Sequence, residues 1–309
     1  MSNYFDNKPV FMEPQVNQYS SHMVMTNVSQ ESKTKIVNID TKFRDDYNYD
    51  TACNLADYSM SLPEPINNVC SMTVENLELP LTYYNVSSAL GNNVFKVTRL
   101  STPPVLTIIT VPDGEYTLTS LDTKITNLLN SLGLDISISL TANNTTMNNS
   151  SGLHEYLIEF AVNKDGSFDK HNFKSKLGWM LGFTEVSYTI PSNNGEIVAE
   201  RISNLTRPRV LYLHVDDFAQ TKQNSFSTMM SRSRNSDNII AKIMVDRSSN
   251  DFRKIFFANK ANGYLLSDKR EYSGKTNIKR LQVQLVDEFD QKINLNGLDF
   301  SFSLKIEHL

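Results

Sequence analysis

Apolar and polar side chains alternate almost without error along residues 299–308. A period of two puts Phe300, Phe302, Leu304 and Ile306 on one face and Ser301, Ser303, Lys305 and Glu307 on the other. This predicts a strand buried on one side and wet on the other, as antiparallel sandwiches require. Clean alternation recurs at 58–62, 94–97, 136–140 and 281–286. Shorter or more apolar runs at 36–40, 69–79, 105–111, 156–160, 210–215, 239–245 and 255–257 read as further strands. Pro63 with Pro65, and later Pro80, are expected to end strands, because proline cannot donate to a ladder.

One segment has the helical period instead. Leu121, Ile125, Leu128, Leu129 and Leu132 form a stripe, Thr119 or Ser120 can cap it, Asp122 sits in the first turn and Gly133 stops it. Residues 177–183, apolar and interrupted by Gly178 and Gly182, read as a buried helical turn. About a dozen strands with one good helix predict an all-β fold, an antiparallel β-sandwich or barrel carrying an inserted strand–helix–strand subdomain. The expected division is an extended arm at 1–34, the sandwich at 35–100 and 201–309, and the insertion at 101–200. The arm is too polar to fold alone, but Tyr4, Phe5, Val10, Phe11 and Met12 could anchor it on a partner.

Composition narrows the function. With 309 residues the chain can bury roughly 75% of its unfolded surface, so no disulfide or metal staple is needed. Cys53 and Cys70 lack a metal-site pattern and read as reduced thiols. A net charge of −4 argues against direct nucleic-acid binding, and the one compact basic cluster, Arg232 and Arg234, reads as a solvated loop. No apolar run approaches the roughly 20 residues of a membrane span, and residues 1–6 show no signal peptide. Seven Asn-x-Ser/Thr sequons reflect an Asn- and Ser-rich chain made in a cytosol-like compartment.

Candidate chemistry is sparse. Phosphate-binding, dinucleotide and zinc-protease motifs are missing, and the five histidines are isolated in sequence. No cofactor is expected. The carboxylates Asp216, Asp217, Asp287 and Glu288, each at the end of a predicted strand, are the remaining candidates. Were those strand ends neighbours, they could act as a paired-carboxylate hydrolase or hold Ca²⁺. Their simpler role is in strand-end turns, where Asp bonds its own backbone. The aromatics follow strand period and read as core, although a sheet face displaying them could bind carbohydrate.

Several segments together carry a resemblance. Asn38-Ile39-Asp40-Thr41-Lys42-Phe43-Arg44 is similar to an NIDSRFR opening. Leu62-Pro63-Glu64-Pro65-Ile66-Asn67-Asn68-Val69, Glu78-Leu79-Pro80, Val111-Pro112-Asp113-Gly114-Glu115-Tyr116-Thr117, Leu181-Gly182-Phe183 and Tyr212-Leu213-His214-Val215-Asp216-Asp217-Phe218 follow in order, and a closing motif spans 285–304. The set resembles capsid-associated proteins of nucleocytoplasmic large DNA viruses. Asp290 stands where that family usually has glycine, and Asn294 where it has Asp. The resemblance implies a penton-type or other minor capsid protein on a jelly roll, without an active site, made in the host cytoplasm and located in the virion. It also implies the major and other minor capsid proteins as partners, and a homo-oligomer, a pentamer if the chain sits at the vertex. A carbohydrate- or receptor-binding β-sandwich on a virion surface is the alternative.

Overall fold

The computed structural model describes residues 15–16, 22–23, 32–45, 55–223, 226–228, 238–246 and 251–309. The arm anchors Tyr4, Phe5, Val10, Phe11 and Met12 lie outside the described residues, as do Cys53, Arg232 and Arg234. The fold is all-β and antiparallel, with 47% of the described residues in strands and 11% in helices. A nine-stranded sheet is organised around one 24-residue strand, Asp57–Pro80. One edge of it pairs with Arg270–Asp287 and then with Ile255–Asn259, and its other edge pairs with Ser301–His308. Lys33–Asp40 flanks Ser301–His308 on one side. On the other, Val210–Asp216, Ile239–Met244 and Leu265–Ser267 continue the sheet beyond Arg270–Asp287.

The sheet curls until its far side returns to its middle. The Val74 N–H donates to the buried Ser267 hydroxyl at 3.2 Å, although Leu265–Ser267 comes last in the strand order. The two faces expected of a sandwich are therefore two regions of one rolled sheet. They share one core, in which Val74, Leu77, Phe302, Leu304 and Ile306 meet Leu211, Leu213, Leu281, Val283 and Ile243. Ser301, Ser303 and Lys305 take the wetter alternate positions, as the period of two predicts.

Bulges make the curl. Ser61 and Ile66 pair with Arg280 and Ile278, so the extra residues on the first strand arch out between two ladder pairs. Pro63 and Pro65 sit in that arch, both exposed, where no ladder donor is lost. This is why they bend the strand and do not end it. The partner strand answers with its own excursion between Glu271 and Thr276.

A second core lies between residues 86 and 205. A four-stranded sheet (Ser187–Ile190, Tyr156–Glu159, Val94–Arg99, Val105–Thr110) and a three-stranded one (Glu196–Val198, Thr145–Asn149, Ile136–Leu140) enclose the helix Leu118–Ser131. Leu121, Ile125 and Leu129 are buried there, while Leu132, from the predicted stripe, lies past the helix and is exposed. The cap is Thr117, whose hydroxyl accepts the Ser120 N–H while the Ser120 hydroxyl accepts the Thr117 N–H. Val94–Arg99, which a boundary at residue 100 assigns to the sandwich, pairs within this smaller unit; its apolar alternation needed a partner sheet and found the local one. The other outer boundary differs too, since Lys33–Asp40 starts inside the expected arm.

The chain leaves the large unit and returns to it at one point. Asn85, 1% exposed, donates to the carbonyls of Tyr116 and Leu205 at 2.7 and 3.1 Å and accepts the Tyr116 N–H at 2.9 Å. Gly182 is fixed nearby: φ is +98°, and a β-carbon there would lie 2.0 Å from the Arg201 carbonyl oxygen. Replacing Asn85 with Ala leaves three partly buried backbone groups without their partner, so urea unfolding should show a loss of about 1–3 kcal/mol. Gly182→Ala should also destabilise the chain clearly; Gly263→Ala, at φ +76° but with open space at its β-carbon, carries the backbone strain without the clash and should cost less.

Candidate functional site

The antiparallel register decides the fate of the four carboxylates. Leu211 pairs with Asp287 and Asp216 with Gln282. Each carboxylate pair follows the C-terminal end of its own strand, and antiparallel neighbours have those ends at opposite sides of the sheet. Five residues of strand, roughly 17 Å, separate Asp216 from the level of Asp287. The structure thus corrects the idea of a shared carboxylate site. No group of three His, Cys, Asp or Glu side chains is placed to hold a metal ion among the described residues.

Asp217 belongs to a buried network. Its side chain is fully shielded and accepts from Arg270 Nη1 at 3.1 Å, from the Tyr272 hydroxyl at 2.5 Å and from the Ala219 N–H at 2.9 Å. Arg270, 1% exposed, also donates to the carbonyls of Val215 and Asn238 at 2.7 and 2.9 Å. Burial, reinforced by the Asp217 charge, pushes the Tyr272 hydroxyl well above its usual range and keeps it a donor. Asp216 lies at the rim and binds Lys222 Nζ at 3.0 Å. Burial alone would raise its pKa, but the Phe218 N–H and Lys222 outweigh that and hold it low. The network ties three strands together and has no face open to a substrate.

Asp287 is equally enclosed. Its Oδ1 accepts the Phe289 and Gln291 N–H groups at 2.8 and 2.9 Å, closing the turn after the strand, and its Oδ2 lies 4.0 Å from Arg207 Nη2. Glu288 pairs with Arg207 Nε at 3.2 Å. Sequence reasoning missed Arg270, Tyr272 and Arg207. Nothing in the local run Asp268-Lys269-Arg270-Glu271 marks its arginine as interior; only the tertiary fold reveals it.

The outer face of the large unit is polar and internally bonded. The Ser301 and Ser303 hydroxyls donate to Glu78 and Asn38 at 3.3 and 3.2 Å, and Lys269 binds Glu307 at 2.5 Å. Exposed apolar side chains interrupt it at Ile36, Ile255 and Phe257. A groove of about 220 Å³ runs beside Ile255, lined also by Asp40, Lys42, Glu78, Pro80 and Asp299. Among the described residues, the exposed phenylalanines Phe43, Phe168, Phe218 and Phe257 lie on separate elements and form no single stacking row. Lys33–Asp40 and Val105–Thr110 each present an edge with no strand partner among the described residues; the first carries Lys33 and Lys35, the second no charge.

No family model matches the chain, and no curated protein matches it. Among solved structures it is similar to the mavirus penton protein, at 11% identity and a TM-score of 0.44 over 91% of this chain and 100% of that one. It is also similar to a chain of the Sputnik virophage structure solved by cryo-EM, at 14% identity and a TM-score of 0.39 over 90% and 98%.

If the Asp217 network is a lock, truncation should reveal it. Asp217→Ala leaves a buried, unpaired guanidinium and is expected to cost about 3–5 kcal/mol. Asp216→Ala, at the rim, should cost roughly 1 kcal/mol or less. Denaturant midpoints compare the two, and equal losses would refute the distinction.

Proposed function

We propose that this chain is a structural protein of an icosahedral large DNA virus capsid, penton-type or another minor capsid protein. In this reading the rolled sheet is a stiff brick. Residues 1–34 and the sheet edges contact neighbouring capsomers, including major and other minor capsid proteins. Copies close into a ring, five if the position is the vertex. The role is structural and located in the virion.

One observation carries the reading. The motifs of the resemblance, spread along the chain, interlock in space. Arg44 Nη1 from the opening motif contacts Asp299 Oδ1 from the closing motif at 2.5 Å. The Thr41 hydroxyl donates to the same oxygen at 3.0 Å and accepts the Phe300 N–H at 3.0 Å. The Asp217 and Asp287 motifs fasten strand ends, and the Leu181-Gly182-Phe183 motif holds a glycine that has no room for a β-carbon. Residues that match a family in sequence and also lock one frame support a shared architecture over chance likeness. All four candidate carboxylates are engaged in hydrogen bonds and ion pairs of that frame, Asp217 and Asp287 fully buried, which favours scaffolding over hydrolysis.

Native mass spectrometry of the purified chain should find a closed oligomer. Deleting residues 1–31, upstream of Lys33–Asp40, should impair particle assembly while leaving the unfolding midpoint nearly unchanged. A chain that stays monomeric at high concentration, with assembly indifferent to the deletion, would refute the proposal.

A further inference from the structure

The seam between the two cores gathers more negative charge than it neutralises. Arg207, on the connection returning from the smaller unit, faces two adjacent carboxylates, Asp287 and Glu288. Asp287 is 1% exposed. The second oxygen of Glu288, Oε2, is buried with no hydrogen-bond partner. The same guanidinium covers the Phe289 ring at 4.3 Å, and its Nη1 donates to the Lys174 carbonyl of the smaller unit at 3.0 Å. One cation thus serves two acids and bridges both cores.

The other charges at the seam are engaged elsewhere. Lys176, 4% exposed, donates to Asn163 Oδ1 at 2.8 Å and lies 3.9 Å from Asp169. The Lys174 ammonium sits over the Trp179 ring at 5.6 Å. Lys292 is bound to Asp57, and on the paired strand His214 interacts with Asp290 and Arg270.

We propose that Asp287 is a proton-operated stabiliser at the seam between the two cores: protonated, it leaves Glu288 as the one carboxylate that Arg207 has to neutralise; ionised, it sets a second, buried negative charge against the same guanidinium. Burial, with Glu288 adding to it, pushes this carboxyl up to about 6, against the opposing pull of the turn N–H groups and Arg207. The folded chain therefore holds the proton more tightly than the unfolded chain, in which the carboxyl titrates near 3.8. The stabilisation is complete below that value and is lost as pH rises through about 6. His214 acts in the opposite sense: burial lowers its pKa from 6.5, so acid costs stability there. A comparison with Asp287→Asn cancels that background. The inference does not depend on the capsid reading.

Unfolding of the wild type and of Asp287→Asn between pH 7 and 5 tests it, together with hydrogen exchange corrected for intrinsic rates. Relative to the variant, the wild-type unfolding constant should fall roughly ten-fold on acidification. Amides that exchange only through global unfolding should gain protection by the same factor in the wild type alone. An equal pH dependence in both proteins would overturn the proposal. Should Asp287→Asn fail to fold, NMR titration of the Asp287 carboxyl decides: its midpoint should lie near 6 and drop in Glu288→Gln. A wild-type midpoint below 5, or one that Glu288→Gln leaves in place, would also overturn it.

Discussion

The register of Asp57–Pro80 against its three partners is the constraint on which the rest depends. A strand with one wet face tolerates no slip of one residue, because that would turn every core side chain outward. Here the same strand must satisfy Arg270–Asp287 and Ile255–Asn259 on one edge and Ser301–His308 on the other. The bulges reconcile these demands. They let the strand bend while keeping Met72, Val74, Leu77 and Leu79 in the core. Rolled in this way, a single sheet provides both faces of the interior, and Lys33–Asp40 is held at its rim through Ser301–His308.

Much of this was legible in the alternation of side chains. The row Phe300, Phe302, Leu304, Ile306 and the row Leu281, Val283, Leu285 point inward as the period requires. The helix was legible from its stripe, although its cap moved to Thr117, because the Thr117–Ser120 exchange of bonds depends on backbone geometry that no stripe reveals. The continuity of the strand through Pro63 and Pro65 was not legible, since proline forbids only the ladder positions and the bulge that exempts these two is tertiary. Short strands such as Leu265–Ser267 and Glu196–Val198 carry too few residues for a period to show.

The candidate site shows the limit of local patterns more sharply. Sequence placed Asp216, Asp217, Asp287 and Glu288 at strand ends, and the structure agrees. Whether two ends meet depends on strand direction, and in an antiparallel pair the C-terminal ends are held apart. The buried charges that result have the character of joinery. Asp217 with Arg270 and Tyr272 closes one end of the sheet, and Asp287 with Arg207 closes the other against the smaller unit. A buried arginine amid polar neighbours has no signature in sequence, so these joints could be found only in three dimensions.

The crossing at Asn85 has a kinetic consequence. Because the chain departs and comes back beside one side chain, the large unit experiences everything between as a closed loop, whose closure cost grows only slowly with length. The smaller unit is built from contacts near in sequence and can form first, drawing residues 85 and 205 together. The large sheet, by contrast, joins Thr41 to Asp299 across a separation of 258 residues. Local contacts form quickly and distant ones slowly. The excursion would then act as an internal template: once folded, it shortens the search that brings the early and late strands of the brick together.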